Sequence, residues 1–112
     1  MAKQQSYLNQ LLKSLDDIQA IDIVTIDVRE QTSVTDYMIV CSGRSSRHVT
    51  AIAEQVAEQM KAAGLAALSQ NGLEAGEWVL IDFGDFVLHV MQNDTRAFYN
   101  LEGLWQNNPP NK

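Results

Sequence analysis

The sequence predicts a single α/β domain in which helices flank one mixed β-sheet. The chain has 112 residues, which is a usual size for one domain. Segments with apolar residues at helical spacing occur among short segments rich in β-branched residues. Together they give the order α-β-β-α-β-β-β-α, and helices mixed with strands in this way favour a sheet with helices packed against it.

The first half of the chain predicts one helix and two strands. The helix is expected to end near Ala20, and its apolar residues at helical spacing are Leu8, Leu11, Leu12, Leu15 and Ile18. Residues 21–28 are rich in β-branched side chains and predict a strand, and the polar residues 29–35 predict a turn. The continuous apolar run of residues 37–41 is typical of a central strand that is buried on both faces.

The second half opens with a strongly amphipathic helix, whose apolar stripe is Val49, Ile52, Ala53, Val56 and Met60. Either Ser45 or Ser46 is expected to cap the N-terminus of this helix, and Gly64 is expected to stop it. Residues 65–68 then predict a short strand, and Asn71–Gly72 predicts a turn.

A last helix is expected to open at Asp94. Its apolar side would carry Phe98, Leu101 and either Leu104 or Trp105. Its polar side would carry Arg96, Tyr99 and Asn100, whose spacing lets them act together. The folded domain is expected to span residues 1–105, and the tail QNNPPNK, residues 106–112, is expected to be disordered.

Residues 78–91 predict a β-hairpin around a two-residue turn at Gly84–Asp85, since glycine is preferred at the first position of such a turn. The register pairs apolar residues on a core face: Phe83 with Phe86, Ile81 with Leu88, and Val79 with Val90. The opposite face carries three mixed pairs: Trp78 with Met91, Leu80 with His89, and Asp82 with Val87. This mixture resembles a binding hot spot. The alternative, that one of the domain's own helices covers this face, stays open.

Charge and cysteine content disfavour several classes of function. The chain has 14 acidic and 8 basic residues, so its net charge of −6 disfavours direct binding to a nucleic-acid backbone. The same charge is compatible with docking on a basic protein surface. No apolar stretch predicts a membrane span, and the N-terminus lacks the apolar run of a secretion signal. Cys41 is the single cysteine and is expected to be a buried, inert thiol, which indicates a cytoplasmic protein.

A candidate anion site lies between the central strand and the second helix, at Ser42, Gly43, Arg44 and Ser45. Backbone N–H groups at a helix N-terminus attract anions, and arginine adds positive charge. The alternative is a capped helix start with solvated arginines. The segment has no Walker lysine, so it is not a P-loop.

Two pairs of residues have side chains of types that bind metal ions. Asp82 and Asp85 could bind Mg²⁺, but turn formation and surface charge are the alternative explanation for them. His48 and His89 are the two histidines, and neither has a partner at metal-ligand spacing. We therefore expect no metal and no other cofactor.

Three segments together resemble the ribosomal silencing factor family, also called Iojap: TDYMIVCSGRSSRHVTAIAEQV, GEWVLIDFGDFVLHVM and TRAFYNLEGLW. The resemblance covers roughly residues 5–105. Each motif alone is weak, whereas their combination is specific. The positions that match the family pattern are Asp36, Tyr37, Ser42, Gly43, Ser45, Trp78, Asp82, Gly84, Asp85, His89, Arg96, Tyr99, Glu102 and Trp105.

The resemblance implies a nucleotidyltransferase-like fold and a homodimer in the free state. It also implies binding to the fourteenth protein of the large ribosomal subunit, where the two subunits join, so that the small subunit is blocked and translation falls when nutrients are scarce. The clustered Asp-x-Asp pair of the enzymes is missing, so we interpret the chain as a binding module and not an enzyme. The expected partner-binding residues are Trp78, Leu80, Asp82, Asp85, His89, Met91, Arg96 and Tyr99.

Two other functions compete with this interpretation. A nucleotidyltransferase-like enzyme would bind a nucleotide with Mg²⁺ through residues 42–45, Asp82 and Asp85. An RNA-binding factor would show a steep salt dependence on naked ribosomal RNA, which the acidic net charge disfavours.

Overall fold

In the described part of the chain, three helices and five strands follow one another in the order that the sequence predicts. The computed structural model describes residues 2–30, 33 and 35–100. The helices are α1 (Ala2–Asp17), α2 (Ser46–Ala62) and α3 (Asn93–Tyr99). The strands are β1 (Ile21–Asp27), β2 (Tyr37–Gly43), β3 (Ser69–Asn71), β4 (Trp78–Asp82) and β5 (Phe86–Gln92).

The strands form one mixed sheet in the spatial order β1-β2-β5-β4-β3. The two central strands, β2 and β5, are parallel, and every other neighbouring pair is antiparallel. All residues of β2 after Tyr37 are buried, which confirms the prediction of a central strand covered on both faces. The strand is longer than predicted, because Ser42 and Gly43 continue its pairing with β5.

The main core lies between one face of the sheet and the helices α1 and α2. Leu11 and Leu15 of α1 are fully buried, as is the predicted stripe of α2. The side chains of Ser14 and Gln59 form a hydrogen bond that links the two helices. The apolar spacing of both helices therefore identified the faces that pack on the sheet.

The start of α2 is held by a network of hydrogen bonds. Ser45 is the N-cap, and its hydroxyl accepts from the backbone N–H of His48 at 3.1 Å. The His48 Nδ1 accepts from the backbone N–H of Arg44 at 2.9 Å, and its Nε2 lies 3.1 Å from the carbonyl oxygen of Ile18. With Nδ1 accepting, Nε2 carries the proton and donates to Ile18. His48 therefore connects the N-cap of α2 to the segment that precedes β1.

The prediction of a strand at residues 65–68 is wrong, and β3 forms instead at the polar residues that follow. Leu65 and Ala67 pack against the main core, whereas the Leu68 side chain is 72% exposed. Strand formation here depends on backbone pairing with β4, and all of β3 is exposed at the sheet edge. An edge strand can form without apolar side chains. The apolar content of residues 65–68 therefore predicted the wrong position for this strand.

The face assignment of the last helix is also wrong in part. Arg96, expected on the polar side, is buried, with 9% of its surface exposed. Phe98, expected on the apolar side, is 80% exposed. Asn100, in the left-handed conformation at φ 50°, ends α3 there. Leu101, Leu104 and Trp105, together with the predicted tail at 106–112, lie outside the described residues.

A second, smaller core lies on the opposite face of the sheet. Its buried members are Ile26, Val28, Met38, Val40 and Met91. Helix α3 reaches this face, since Arg96 hydrogen-bonds to the Ser42 hydroxyl of β2. Among the described residues, no helix is long and apolar enough to cross a membrane.

Candidate functional site

The β4–β5 hairpin has the register that the sequence predicts. Val79 lies opposite Val90 and Ile81 opposite Leu88, and all four are buried in the main core. Gly84 has a φ of 93°, a conformation that favours glycine, so the turn begins as predicted. The backbone N–H of Phe83 donates to the carbonyl of Phe86 at 2.8 Å and closes the turn.

The other side of the hairpin, which we call the hairpin face, consists of Trp78, Leu80, Asp82, Val87, His89 and Met91. The sequence left open whether one of the domain's helices covers it, and the structure shows partial cover. Met91 and His89 are buried, whereas the β4 members and Val87 are half-buried. The hairpin face therefore has a closed part on β5 and a more open part on β4.

Trp78 and His89 form a hydrogen-bonded pair across the two strands. The Trp78 indole Nε1–H donates to His89 Nδ1 at 2.9 Å, and the ring centroids are 5.9 Å apart. Because Nδ1 accepts this bond, the proton of the neutral imidazole lies on Nε2. Burial lowers the pKa of His89 to about 4, since the charged imidazolium loses its hydration there. At neutral pH the neutral ring therefore fixes the orientation of the indole.

An aromatic row extends from the hairpin face along α3, and it consists of Trp78, Tyr99 and Phe98. The ring centroids of Trp78 and Tyr99 are 4.8 Å apart, and those of Tyr99 and Phe98 are 5.0 Å apart at a T-shaped angle. Tyr99 is 52% exposed. Phe98 is not among the predicted partner-binding residues. Its helical spacing predicted a place on the apolar side of the last helix, and the sequence contains no other feature that marks it as a surface residue.

Arg96 is the buried residue of α3 and lies three residues before Tyr99. Its Nη1 donates to the Ser42 hydroxyl at 2.9 Å and to the backbone carbonyl of Ile21 at 3.3 Å. These bonds join α3 to β2 and to the start of β1. A buried guanidinium requires such partners, and here they also set the position of Tyr99, one turn along the helix.

The candidate anion segment does not form an open loop. Ser42 and Gly43 lie in β2 and are buried, and the Ser42 hydroxyl accepts from Arg96. The Arg44 backbone N–H and the Ser45 hydroxyl are used in the cap of α2. This arrangement matches the alternative of a capped helix start, with Arg44 and Ser45 exposed.

Asp82 and Asp85 both accept hydrogen bonds at the turn of the hairpin, Asp82 through its side chain and Asp85 through its backbone carbonyl. The Asp82 Oδ1 accepts from the backbone N–H of Gly84 at 2.8 Å, which stabilises the turn. The Asp85 backbone carbonyl accepts from the N–H groups of Asp36 and Tyr37, each at 3.1 Å. Within the described part of the chain, no group of three or more histidine, cysteine, aspartate or glutamate side chains is placed to hold a metal ion.

Comparisons with known proteins agree with the motifs. The family model described as "Ribosomal silencing factor during starvation" matches residues 1–112. A ribosomal silencing factor of Zymomonas mobilis is 46% identical over 98 residues, which are 88% of this chain and 74% of that protein. The ribosomal silencing factor of Haemophilus influenzae is 41% identical over 95 residues, covering 85% of this chain and 93% of its own.

A solved structure shares the fold as well. The crystal structure of a Chromobacterium violaceum protein superimposes with a TM-score of 0.89 at 40% sequence identity, covering 95% of this chain and 88% of the other. Sequence and fold thus point to the same group of proteins. The chain belongs to the ribosomal silencing factor family.

Proposed function

We propose that this protein represses translation by docking on the large ribosomal subunit through its fourteenth protein, and that it does so without catalysing a reaction. The bound domain would occupy space that the small subunit needs, so that joining is blocked and translation falls when nutrients are scarce. In the free state the protein would be a cytoplasmic homodimer. The observation that carries the proposal is the aromatic row, which is partly exposed and whose tryptophan is oriented by a hydrogen bond to His89.

The aromatic row has the properties of a binding hot spot. Tryptophan and tyrosine contribute large contact areas and are enriched among residues that dominate binding energy. Trp78 is already oriented by its hydrogen bond to His89, so little side-chain freedom would be lost on docking. The exposed Phe98 extends the same surface.

The predicted partner-binding residues would then divide into two roles. Trp78, Leu80 and Tyr99 have accessible surface and would contact the partner, with Asp82 and Asp85 at the turn end of the hairpin. His89, Met91 and Arg96 are buried and would act by positioning their neighbours. The net charge of −6 would favour approach to a basic ribosomal protein and disfavour binding to bare RNA.

The test measures docking with purified large subunits. Trp78→Ala removes the end of the aromatic row that lies on the hairpin face, so binding in a co-sedimentation titration should weaken by about 2 kcal/mol or more, which is roughly thirtyfold in Kd. The same variant should lose its effect on subunit joining, followed by light scattering. Cross-linking mass spectrometry of the wild-type complex identifies the ribosomal protein in contact.

The matched control is Leu12→Ala, which truncates another partly exposed apolar side chain, one that lies on α1 at the main-core side of the sheet. It should bind as the wild type does. Thermal unfolding of both variants separates lost docking from lost folding. Trp78→Ala that is folded and still sediments with the large subunit at wild-type affinity would contradict the assignment of the aromatic row.

A further inference from the structure

A groove that the docking proposal does not use lies on the main-core side of the sheet. It has a volume of about 520 Å³ and runs between the exposed flank of α2 and the segment that contains β3. A second groove of about 360 Å³ adjoins it, since Glu54 and Leu73 line both. The hairpin face lies on the opposite side of the sheet, so the two surfaces are separate.

The floor of the groove is apolar and continuous with the main core. Ala57, Ala67 and Leu73 are half-buried and pack against the buried cluster. Small alanine side chains leave room for the side chains of a bound segment. A partner that covers this floor would gain from burial of apolar area.

One wall of the groove is the free edge of the sheet. β3 pairs with β4 on one side and with no strand of the described chain on the other. Gln70 lies opposite Ile81, a residue of the main core, so its side chain points to the face that α2 covers. An extended peptide in the groove would lie beside β3, where strand addition supplies backbone hydrogen bonds.

The other wall carries two carboxylates one helical turn apart, Glu54 and Glu58. Both are exposed, and neither forms an ion pair within the described residues. Like charges at this spacing repel each other and destabilise a helix slightly. A cationic side chain placed between them would relieve that repulsion. Lys61 also lines the groove, at the C-terminal end of α2.

We propose that this groove binds an extended, positively charged peptide segment of a partner protein. The segment adds to β3 as a sixth strand, and one of its lysine or arginine side chains lies between Glu54 and Glu58. Because alternate side chains of a strand point to the same face, such a segment alternates cationic or polar residues with small apolar ones. Occupation of the groove leaves the aromatic row free.

The test uses the full chain, labelled with ¹⁵N, and a capped seven-residue peptide that alternates valine and lysine. Saturable binding is expected, with amide shifts in β3 and along α2 from Glu54 to Lys61, and with the Trp78 indole signal unchanged. A peptide of the same sequence with alternate backbone nitrogens methylated keeps its charge but loses strand hydrogen bonds. It should bind about tenfold more weakly.

Charge-matched variants separate a local contact from net charge. The double variant Glu54→Gln/Glu58→Gln should weaken binding of the lysine peptide roughly tenfold. Asp16→Gln/Glu30→Gln removes the same charge at exposed positions outside the groove and should leave binding within about twofold. The unfolding midpoint of each variant confirms that it is folded.

Four results would overturn the proposal. If the lysine peptide shows no saturable binding, the groove is not a binding site for it. If the methylated peptide binds equally well, the peptide does not bind as a strand added to β3. Shifts confined to Trp78 and Tyr99, or equal losses in both charge variants, would show that the peptide responds to the aromatic row or to net charge alone.

Discussion

At the scale of single residues, one hydrogen bond joins the candidate docking surface to the interior. His89 is 5% exposed and accepts from the Trp78 indole, which stays partly accessible. The acceptor nitrogen would become a donor if the ring were protonated, and the bond would then be lost. The state of one buried ring therefore controls the orientation of the tryptophan.

This arrangement predicts a pH dependence of stability. Burial lowers the pKa of His89 from 6.5 to about 4, so between these values the unfolded chain binds the proton and the folded chain does not. The contribution of His89 to stability should be constant above about pH 6.5 and fall as the pH drops towards 4, with a loss on the order of 3 kcal/mol from this group. Urea unfolding at a series of pH values measures it.

The control for this prediction is His89→Gln, which keeps a hydrogen-bonding group but cannot titrate. Its stability at pH 7 should be lower than that of the wild type, whereas its slope between pH 4 and 6.5 should be flatter. The two proteins differ only at position 89, so the difference between their slopes isolates His89. Equal slopes would contradict the assignment to His89.

At the scale of elements, the contact between the end of β2 and the start of α2 requires a glycine. A Cβ atom on Gly43 would lie 2.8 Å from the Val49 Cγ2 and 2.9 Å from the Val49 backbone nitrogen. Such distances force the strand and the helix apart. The glycine of the candidate anion segment is therefore explained by packing.

Gly43→Ala should destabilise the protein by about 1–3 kcal/mol, the usual cost of overpacking a buried site. The change is measured as a lower urea midpoint with an unchanged m-value. In a double-mutant cycle, Val49→Ala should cost less in the Gly43→Ala background than alone, because it removes the Cγ2 atom of the clash. A Gly43→Ala midpoint equal to that of the wild type would show that β2 and α2 do not approach this closely.

At the scale of the whole molecule, the two central parallel strands are enclosed by both cores. Cys41 lies in β2, opposite Val90 of β5, and has no exposed surface. Burial raises the pKa of its thiol to about 12, so almost no reactive thiolate is present at neutral pH. Chemical labelling of this thiol therefore reports when the buried strands β2 and β5 become accessible.

Labelling of the native protein with a thiol reagent should therefore proceed only through global unfolding. The rate at pH 8 should rise with urea in parallel with the unfolding rate, and the unfolded chain should react at once. Because the sequence has one cysteine, the signal has a single source. Rapid labelling without denaturant would show that β2 and β5 open locally.

Much of the fold was predicted from local patterns. The apolar spacing of α1 and α2, the buried run of β2 and the register of the hairpin depend on residues that are close in sequence. The position of β3 could not be predicted in this way, because it depends on pairing with β4, about ten residues later. Its exposed polar residues carry no apolar signal.

The sequence by itself determined the family, the order of the elements and which face of the hairpin is apolar. Only the tertiary structure decided which side chains at the other face are buried and which are exposed. Arg96 is buried where the Ser42 hydroxyl and the carbonyl of Ile21 accept hydrogen bonds from its guanidinium, and Phe98 is exposed. Those partners are more than fifty residues away along the chain, so helical spacing alone could not predict this inversion, which leaves Phe98 and Tyr99 exposed beside Trp78.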